Sequence, residues 1–183
     1  MGTYMRPDGQ PPFEELIDRH SAELFRYLWR LLRDSDDAQD CLQETYVKAF
    51  RSYSRLQSAA NLRAWLYKIA TNVARTHGRR RTRLAARTAD LDGDRVPEAE
   101  SGVSDSSDGG MLAQVVQTVN ELPYHQREAL MMRKYQGLEY EEIALALGCT
   151  PTTARAHVYQ AVKKLRQRFG EPTRHATAQE AAR

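Results

Sequence analysis

No run in this 183-residue chain approaches the roughly 20 consecutive apolar residues of a membrane-spanning helix, and no signal-peptide pattern opens it. Both absences lead us to expect a soluble cytosolic protein without membrane insertion. Cysteine is nearly missing as well. Cys41 and Cys149 stand far apart, with no CxxC partner and no histidine at metal-ligand spacing, so we expect two buried free thiols and neither a metal nor another cofactor. A large charge imbalance is also lacking: the formal charge is +3, so a nucleic-acid role must rest on where the charge sits. What is present is an apolar content of 41%, enough for compact cores, recurring at three- and four-residue spacing. Length alone does not choose between one large and two small domains.

Residues 1–12 carry Gly2, Pro7, Gly9, Pro11 and Pro12 and read as a disordered tail. From Phe13 the apolar set Leu16, Ile17, Leu24, Leu28, Leu31 and Leu32 keeps to one helical face, and Asp34 is placed to cap a second helix near Ser35. That helix has a stripe of Ala38, Cys41, Leu42, Thr45, Tyr46, Ala49 and Phe50; Asp37, Asp40, Gln43, Glu44 and Lys48 lie opposite. A third helix follows the polar break to Asn61, with Leu62, Trp65, Leu66, Ile69, Ala70 and Val73 inward. Its outer surface is expected to carry Asn61, Arg63, Lys68, Thr71, Asn72, Arg75 and His77, then Arg79, Arg80, Arg81 and Arg83, with Tyr53, Trp65 and Tyr67 close by. Arginines interleaved with aromatics suit a strand whose bases are unstacked, although a basic helix end with Trp65 in the core is the plainer reading.

Periodicity lapses over 82–110, where Asp90, Asp92, Asp94, Glu98, Glu100, Asp105 and Asp108 dominate, so we expect a flexible acidic linker between two helical domains, 13–81 and 111–169. It returns with Leu112, Val115, Val116, Val119 and Leu122, and Pro123 opens a helix from Tyr124 to Tyr135. The most informative stretch comes next. Ile143, Ala144 and Leu147 share a face, Gly148 tolerates the left-handed conformation that ends a helix, Thr150 suits an N-cap, and Pro151 suits the first position of a new helix. In that helix Ala154, Val158, Ala161, Val162 and Leu165 face inward. Thr153, Arg155, Ala156, His157, Tyr159 and Gln160 are left outward, where a helix-turn-helix reads the major groove, with Lys163, Lys164, Arg166 and Arg168 suited to phosphate. Residues 170–183 read as a flexible C-terminal tail.

These blocks together resemble a bacterial RNA polymerase sigma factor of the extracytoplasmic-function type. The resemblance rests on Asp37 to Phe50, Asn61 to Asn72, the Leu122-Pro123 pair, Gln126 to Leu130, Tyr140 to Ala144 and the corner helix. It implies an all-α fold of two small domains, sigma regions 2 and 4, and a non-enzymatic factor that directs promoter recognition, melting and initiation. It implies core-polymerase contact at Asp40, Gln43, Glu44 and Thr45. Minus-ten contact falls on Asn61, Arg63, Trp65, Thr71, Asn72, Arg75, Arg79 and Arg80. Minus-thirty-five contact falls on Thr153, Arg155, Ala156, His157, Tyr159, Gln160, Lys163 and Lys164. An anti-sigma protein is the further partner implied. The chain departs from the family pattern at Ala156, His157, Gln160 and Glu139, where serine, arginine, arginine and serine are the more usual residues, which puts the promoter sequence in question.

Two rival readings stand beside this one. Asp36, Asp37 and Asp40 have the Asp-Asp-x-x-Asp spacing of helical diphosphate enzymes that hold magnesium, but no second acidic motif accompanies them. A helix-turn-helix regulator that never joins polymerase accounts for the corner but leaves the first domain's surfaces unused.

Overall fold

The computed structural model describes residues 10–56, 61–89 and 107–170, and within them every regular element is an α-helix. The N-terminal tail up to residue 9, the acidic stretch 90–106 and the tail 171–183 lie outside the described residues. The helices are α1 (Phe13–Leu32), α2 (Ser35–Tyr53), α3 (Leu62–Ala89), α4 (Ser107–Asn120), α5 (Tyr124–Tyr135), α6 (Tyr140–Leu147) and α7 (Pro151–Phe169).

The first three form one unit. Helix α1 stops where Arg33 takes a left-handed φ of 61° and its N–H donates back to the Trp29 carbonyl. The Asp34 side chain then accepts from the amides of Asp36 and Asp37 at 2.9 Å, which starts α2 at the position the sequence indicates. Leu16, Leu24, Tyr27, Leu28 and Leu31 join Ala38, Cys41, Leu42 and Ala49 of α2 and Leu66, Tyr67, Ala70 and Val73 of α3 in the core. Phe50, expected inside, is 63% exposed. Steps of four, seven and four residues from Ala38 through Leu42 and Ala49 lead to Tyr53, which takes the buried place edge-on to Phe13 at 5.3 Å, while Phe50 sits about 100° round the helix from Ala49.

Helix α3 departs further from a single apolar stripe. It is packed against α1 and α2 on one side and against α6 on another, so Thr71, expected on the outer surface, is buried, as is Tyr67, expected close by it. Thr71 and Tyr27 share a hydroxyl hydrogen bond of 2.9 Å, which satisfies both groups away from water. The helix runs on to Ala89, past the point where periodicity lapses. Arg79, Arg80, Arg81 and Arg83 are exposed there, and arginine sustains helix without an apolar face.

Helices α5, α6 and α7 form the second unit around Ala129, Leu130, Met132, Leu138, Ile143, Ala154 and Val158. Helix α4 packs against α7; Val119 and Leu122 near its end are buried, whereas Leu112, expected inside, is 60% exposed. At the corner Gly148 has φ 67°, Thr150 accepts from the Thr153 amide at 3.2 Å, and Pro151 occupies the first turn of α7. A Cβ at Gly148 meets no atom within 4 Å, so Gly148→Ala carries a conformational cost alone. We expect a loss of about 1–2 kcal/mol, read as a lower midpoint in thermal or urea unfolding of the full chain. The two units are packed together: α3 lies against α6 and α1 against α5, and one apolar cluster runs through both.

Candidate nucleic-acid and polymerase interfaces

Helix α7 presents the surface the sequence assigns to duplex DNA. Arg155, Ala156, Tyr159, Gln160, Lys163 and Lys164 are exposed, and Thr153 and His157 are half-buried. The Arg155 guanidinium lies over the Tyr140 ring at 5.0 Å, and Arg133 lies over the same ring at 4.9 Å while pairing with Glu139 at 2.8 Å. Such stacking holds an arginine extended without neutralising it. His157 is stacked on His125 of α5 with ring centroids 5.7 Å apart, which accounts for its half-burial. Thr153 shares a hydroxyl contact of 2.9 Å with the cap Thr150. In place of the usual serine cap, Glu139 starts α6 by donating its N–H to the Glu142 carboxylate at 2.9 Å.

The set on α3 that the sequence assigns to an unpaired strand is divided between free and occupied residues. Asn72, Arg79 and Arg80 are exposed; Asn61, with φ 71°, accepts from the Ala64 amide at 3.2 Å; Trp65 is half-buried against Tyr53. Arg63 donates to both oxygens of Glu23, at 2.7 Å from Nη2 and 3.1 Å from Nε, and Nη2 also reaches the Gln136 carbonyl of the second unit at 2.6 Å. Burial pushes the Glu23 carboxyl up, but the bonds from Arg63 and His20 prevail and hold it below its ordinary value. Arg75 points to Glu128 of α5, 3.4 Å away. Thr71 is removed from this surface by burial.

On α2, Asp40 and Gln43 are exposed and Glu44 pairs with Lys48 at 2.7 Å. Thr45 is not on this face: it is fully buried and donates to the Cys41 carbonyl at 2.7 Å. Val47 and Phe50, 49% and 63% exposed, stand on the same outer side as Gln43, an apolar extension that the periodicity hid by assigning Phe50 to the core. Asp37 faces His77 at 3.4 Å and Arg81 at 3.0 Å. Among the described residues no group of three His, Cys, Asp or Glu is arranged to hold a metal ion. Cys41 is buried and its thiol is pushed up to about 11 by that burial, while Cys149 is half-buried and also raised.

Sequence reasoning passed over Glu128. It is the one charged residue in the run Glu128 to Met132, every member of which is buried, and an acid inside such a run is the signal that could have marked it.

A bundle carrying arginines and aromatics on one helix, followed in the chain by a helix-turn-helix with an exposed basic face, defines a DNA-binding protein of transcription. Residues 16–84 match the family Sigma-70 region 2, and residues 112–165 match Sigma-70, region 4. RNA polymerase sigma factor CarQ of Myxococcus xanthus is 30% identical over 166 residues, covering 91% of this chain and 94% of its own length. RNA polymerase sigma-H factor of Pseudomonas aeruginosa is 31% identical over 157 residues, covering 81% of each. ECF RNA polymerase sigma factor SigE of Mycolicibacterium smegmatis is also 31% identical, but the chain spans only 61% of its length. The chain belongs to the RNA polymerase sigma factors of the ECF type. Among solved structures, the sigma factor RpoE of Bartonella quintana, in complex with the anti-sigma factor NepR, superposes with a TM-score of 0.66 at 26% identity, over 88% of this chain and 98% of that one. CnrH in complex with the cytosolic domain of CnrY shares the fold, with a TM-score of 0.63 at 21% identity over 88% and 89% of the two chains.

Proposed function

We infer that this chain joins core RNA polymerase and directs it to a set of promoters, where it recognises the duplex, holds the melted strand and so permits initiation. The observation that carries this is the pairing on one chain of the two sigma regions with exposed faces of fitting chemistry. Asp40, Gln43 and Glu44 offer carboxylates and an amide to a basic partner surface, with Val47 and Phe50 as the apolar part of the same contact. Asn61, Arg63, Trp65, Asn72, Arg75, Arg79 and Arg80 take the minus-ten strand. Unpaired bases bound here offset unstacking, which costs a few kcal/mol per base, so melting needs no catalytic group in this chain. Thr153, Arg155, Ala156, His157, Tyr159, Gln160, Lys163 and Lys164 take the minus-thirty-five duplex. With Ala156, His157 and Gln160 in place of the commoner residues, this chain reads its own upstream sequence.

The chain acts in the bacterial cytoplasm, where the polymerase is; no helix among the described residues is long and apolar enough to cross a membrane. An anti-sigma protein is its further partner, by likeness to the RpoE complex. Mixing the full chain with core polymerase is expected to give co-elution and promoter-dependent run-off transcripts. Duplex binding with neither co-elution nor transcript identifies instead a regulator that works apart from polymerase.

A further inference from the structure

The two arginines of α3 nearest the second unit both end on acceptors that the second unit supplies. Arg63 reaches the Gln136 carbonyl at 2.6 Å, and Arg75 reaches the Glu128 carboxylate at 3.4 Å. The second contact is unusual. The Glu128 side chain is 0% exposed, Arg75 and Nδ1 of His125 each stand 3.4 Å from its Oε2, its Oε1 has no hydrogen-bond partner, and the Tyr124 side chain beside it helps to hold the carboxyl down. A buried carboxylate away from water needs two or three good donors to remain ionised, and this one has long contacts and an idle oxygen. The Tyr124 ring beside it lies between Arg75 at 5.2 Å and Arg127 at 5.5 Å. Every element packed around the carboxyl contributes: Tyr27 from α1, Arg75 from α3, and Tyr124, His125 and Arg127 from α5, with His157 of α7 stacked behind His125.

We propose that Glu128 and the Gln136 carbonyl form a proton-sensitive clasp that occupies Arg75 and Arg63 while the two units are packed, and that must release before α3 grips an unpaired strand. This rests on the assignment of α3 to the minus-ten strand. Packed and strand-bound forms then compete, because the second unit sits against the part of α3 that carries both arginines, while Arg63 keeps its bonds to Glu23 in either form. The proton dependence follows from the carboxyl's surroundings. Burial pushes Glu128 up to about 7 in the packed form, against the opposing effects of Tyr124, Arg75 and Arg127, whereas a carboxyl freed into water titrates in the ordinary range. Between those two values the packed form holds a proton that the separated form releases. Packing is therefore fully favoured at pH below the ordinary carboxyl value, and that advantage is lost as pH rises towards 7, by at most about tenfold per pH unit for a single proton. His125, lowered by burial and by Arg75, acts in the opposite sense at acid pH. It is half exposed and so the weaker of the two.

The test measures separation directly in the full chain, without DNA or polymerase. Donor and acceptor dyes are attached through Gln39→Cys on α2 and Gln167→Cys on α7, both exposed, with Cys149→Ser to remove the half-buried thiol. Energy transfer is expected to report a separated fraction that grows several-fold between about pH 5 and pH 8. Glu128→Gln, which keeps the shape and removes the titration, is expected to stay packed across the range. A response that is absent in the parent chain, or unchanged in Glu128→Gln, overturns the clasp. Amide hydrogen exchange in α6 and the facing part of α3 of the unsubstituted chain, corrected for the intrinsic effect of pH, measures the same separation with no variant to fold. Because neither readout uses a promoter, a pH-dependent separation with no run-off transcript would sink the initiation reading, and with it the clasp's role in strand access, and leave only the proton-sensitive packing standing. Transcription without pH-dependent separation does the reverse.

Discussion

Arg155→Ala is expected to weaken binding to the upstream promoter duplex by about 1–3 kcal/mol, up to a hundredfold or so, while binding to core polymerase is unchanged. Arg155 is exposed on the second turn of α7, and among the described residues no acid pairs with it; its contact is the face of Tyr140 at 5.0 Å. It therefore surrenders no ion pair on meeting a guanine edge, and the ring has already restricted its torsions. Arg155→Lys is expected to recover little, since an ammonium cannot bond two acceptors on one base edge in parallel. Lys163→Ala and Lys164→Ala test the phosphate role by a different signature: an affinity loss shared by all sequences and a salt dependence shallower by about one unit for each. Fluorescence anisotropy with matched and scrambled duplexes at several salt concentrations separates the two patterns. A core-binding defect in Arg155→Ala as large as the duplex defect would remove this residue from the DNA face.

The corner was legible because it is built from local rules. Gly148, Thr150 and Pro151 act through their own backbones and nearest neighbours, and nothing distant is needed to place them. The same holds for Asp34, whose cap lies two and three residues ahead of it in the chain. Phe50, Thr71 and Leu112 were misread for the opposite reason, whereas the spacing set Thr45 on the inner stripe, where it lies, and only the resemblance placed it outside. Which arc of a helix is covered depends on how many neighbours it has, and α3, enclosed by α1, α2 and α6, buries more of its circumference than a one-sided stripe would suggest. The packing of one unit on the other was hidden altogether. Beside the apolar contact of α3 with α6 and of α1 with α5, it includes Arg63 to Gln136 and Arg75 to Glu128, contacts between residues far apart in sequence, in which each partner alone resembles an ordinary surface or core position. His157 combines both cases, since its place on α7 was clear but its stacking on His125 was not.

Asn72→Ala together with Arg75→Ala is expected to impair open-complex formation tenfold to about a hundredfold, with far less effect on closed-complex binding. One hydrogen bond to a charged partner, worth ~1.5–3 kcal/mol, is the dominant loss, and the exposed amide of Asn72 adds to it. Permanganate reactivity of unpaired thymines reports the open complex, and footprinting at low temperature reports the closed one. The single variants divide the two roles that meet at Arg75. Asn72 is exposed, and among the described residues no hydrogen bond or ion pair joins its side chain to the second unit, so Asn72→Ala is expected to act on the strand. Arg75→Ala also removes the cation nearest the buried Glu128, which leaves that carboxylate still poorer in partners and loosens the two units in the free protein. Its deficit in melting is therefore partly offset by easier separation, and Arg75→Ala combined with Glu128→Gln, in which the packed form is no longer penalised, should melt promoters less well than Arg75→Ala alone. If the two melt promoters equally well, Arg75 contacts the strand but is not held back from it by the second unit.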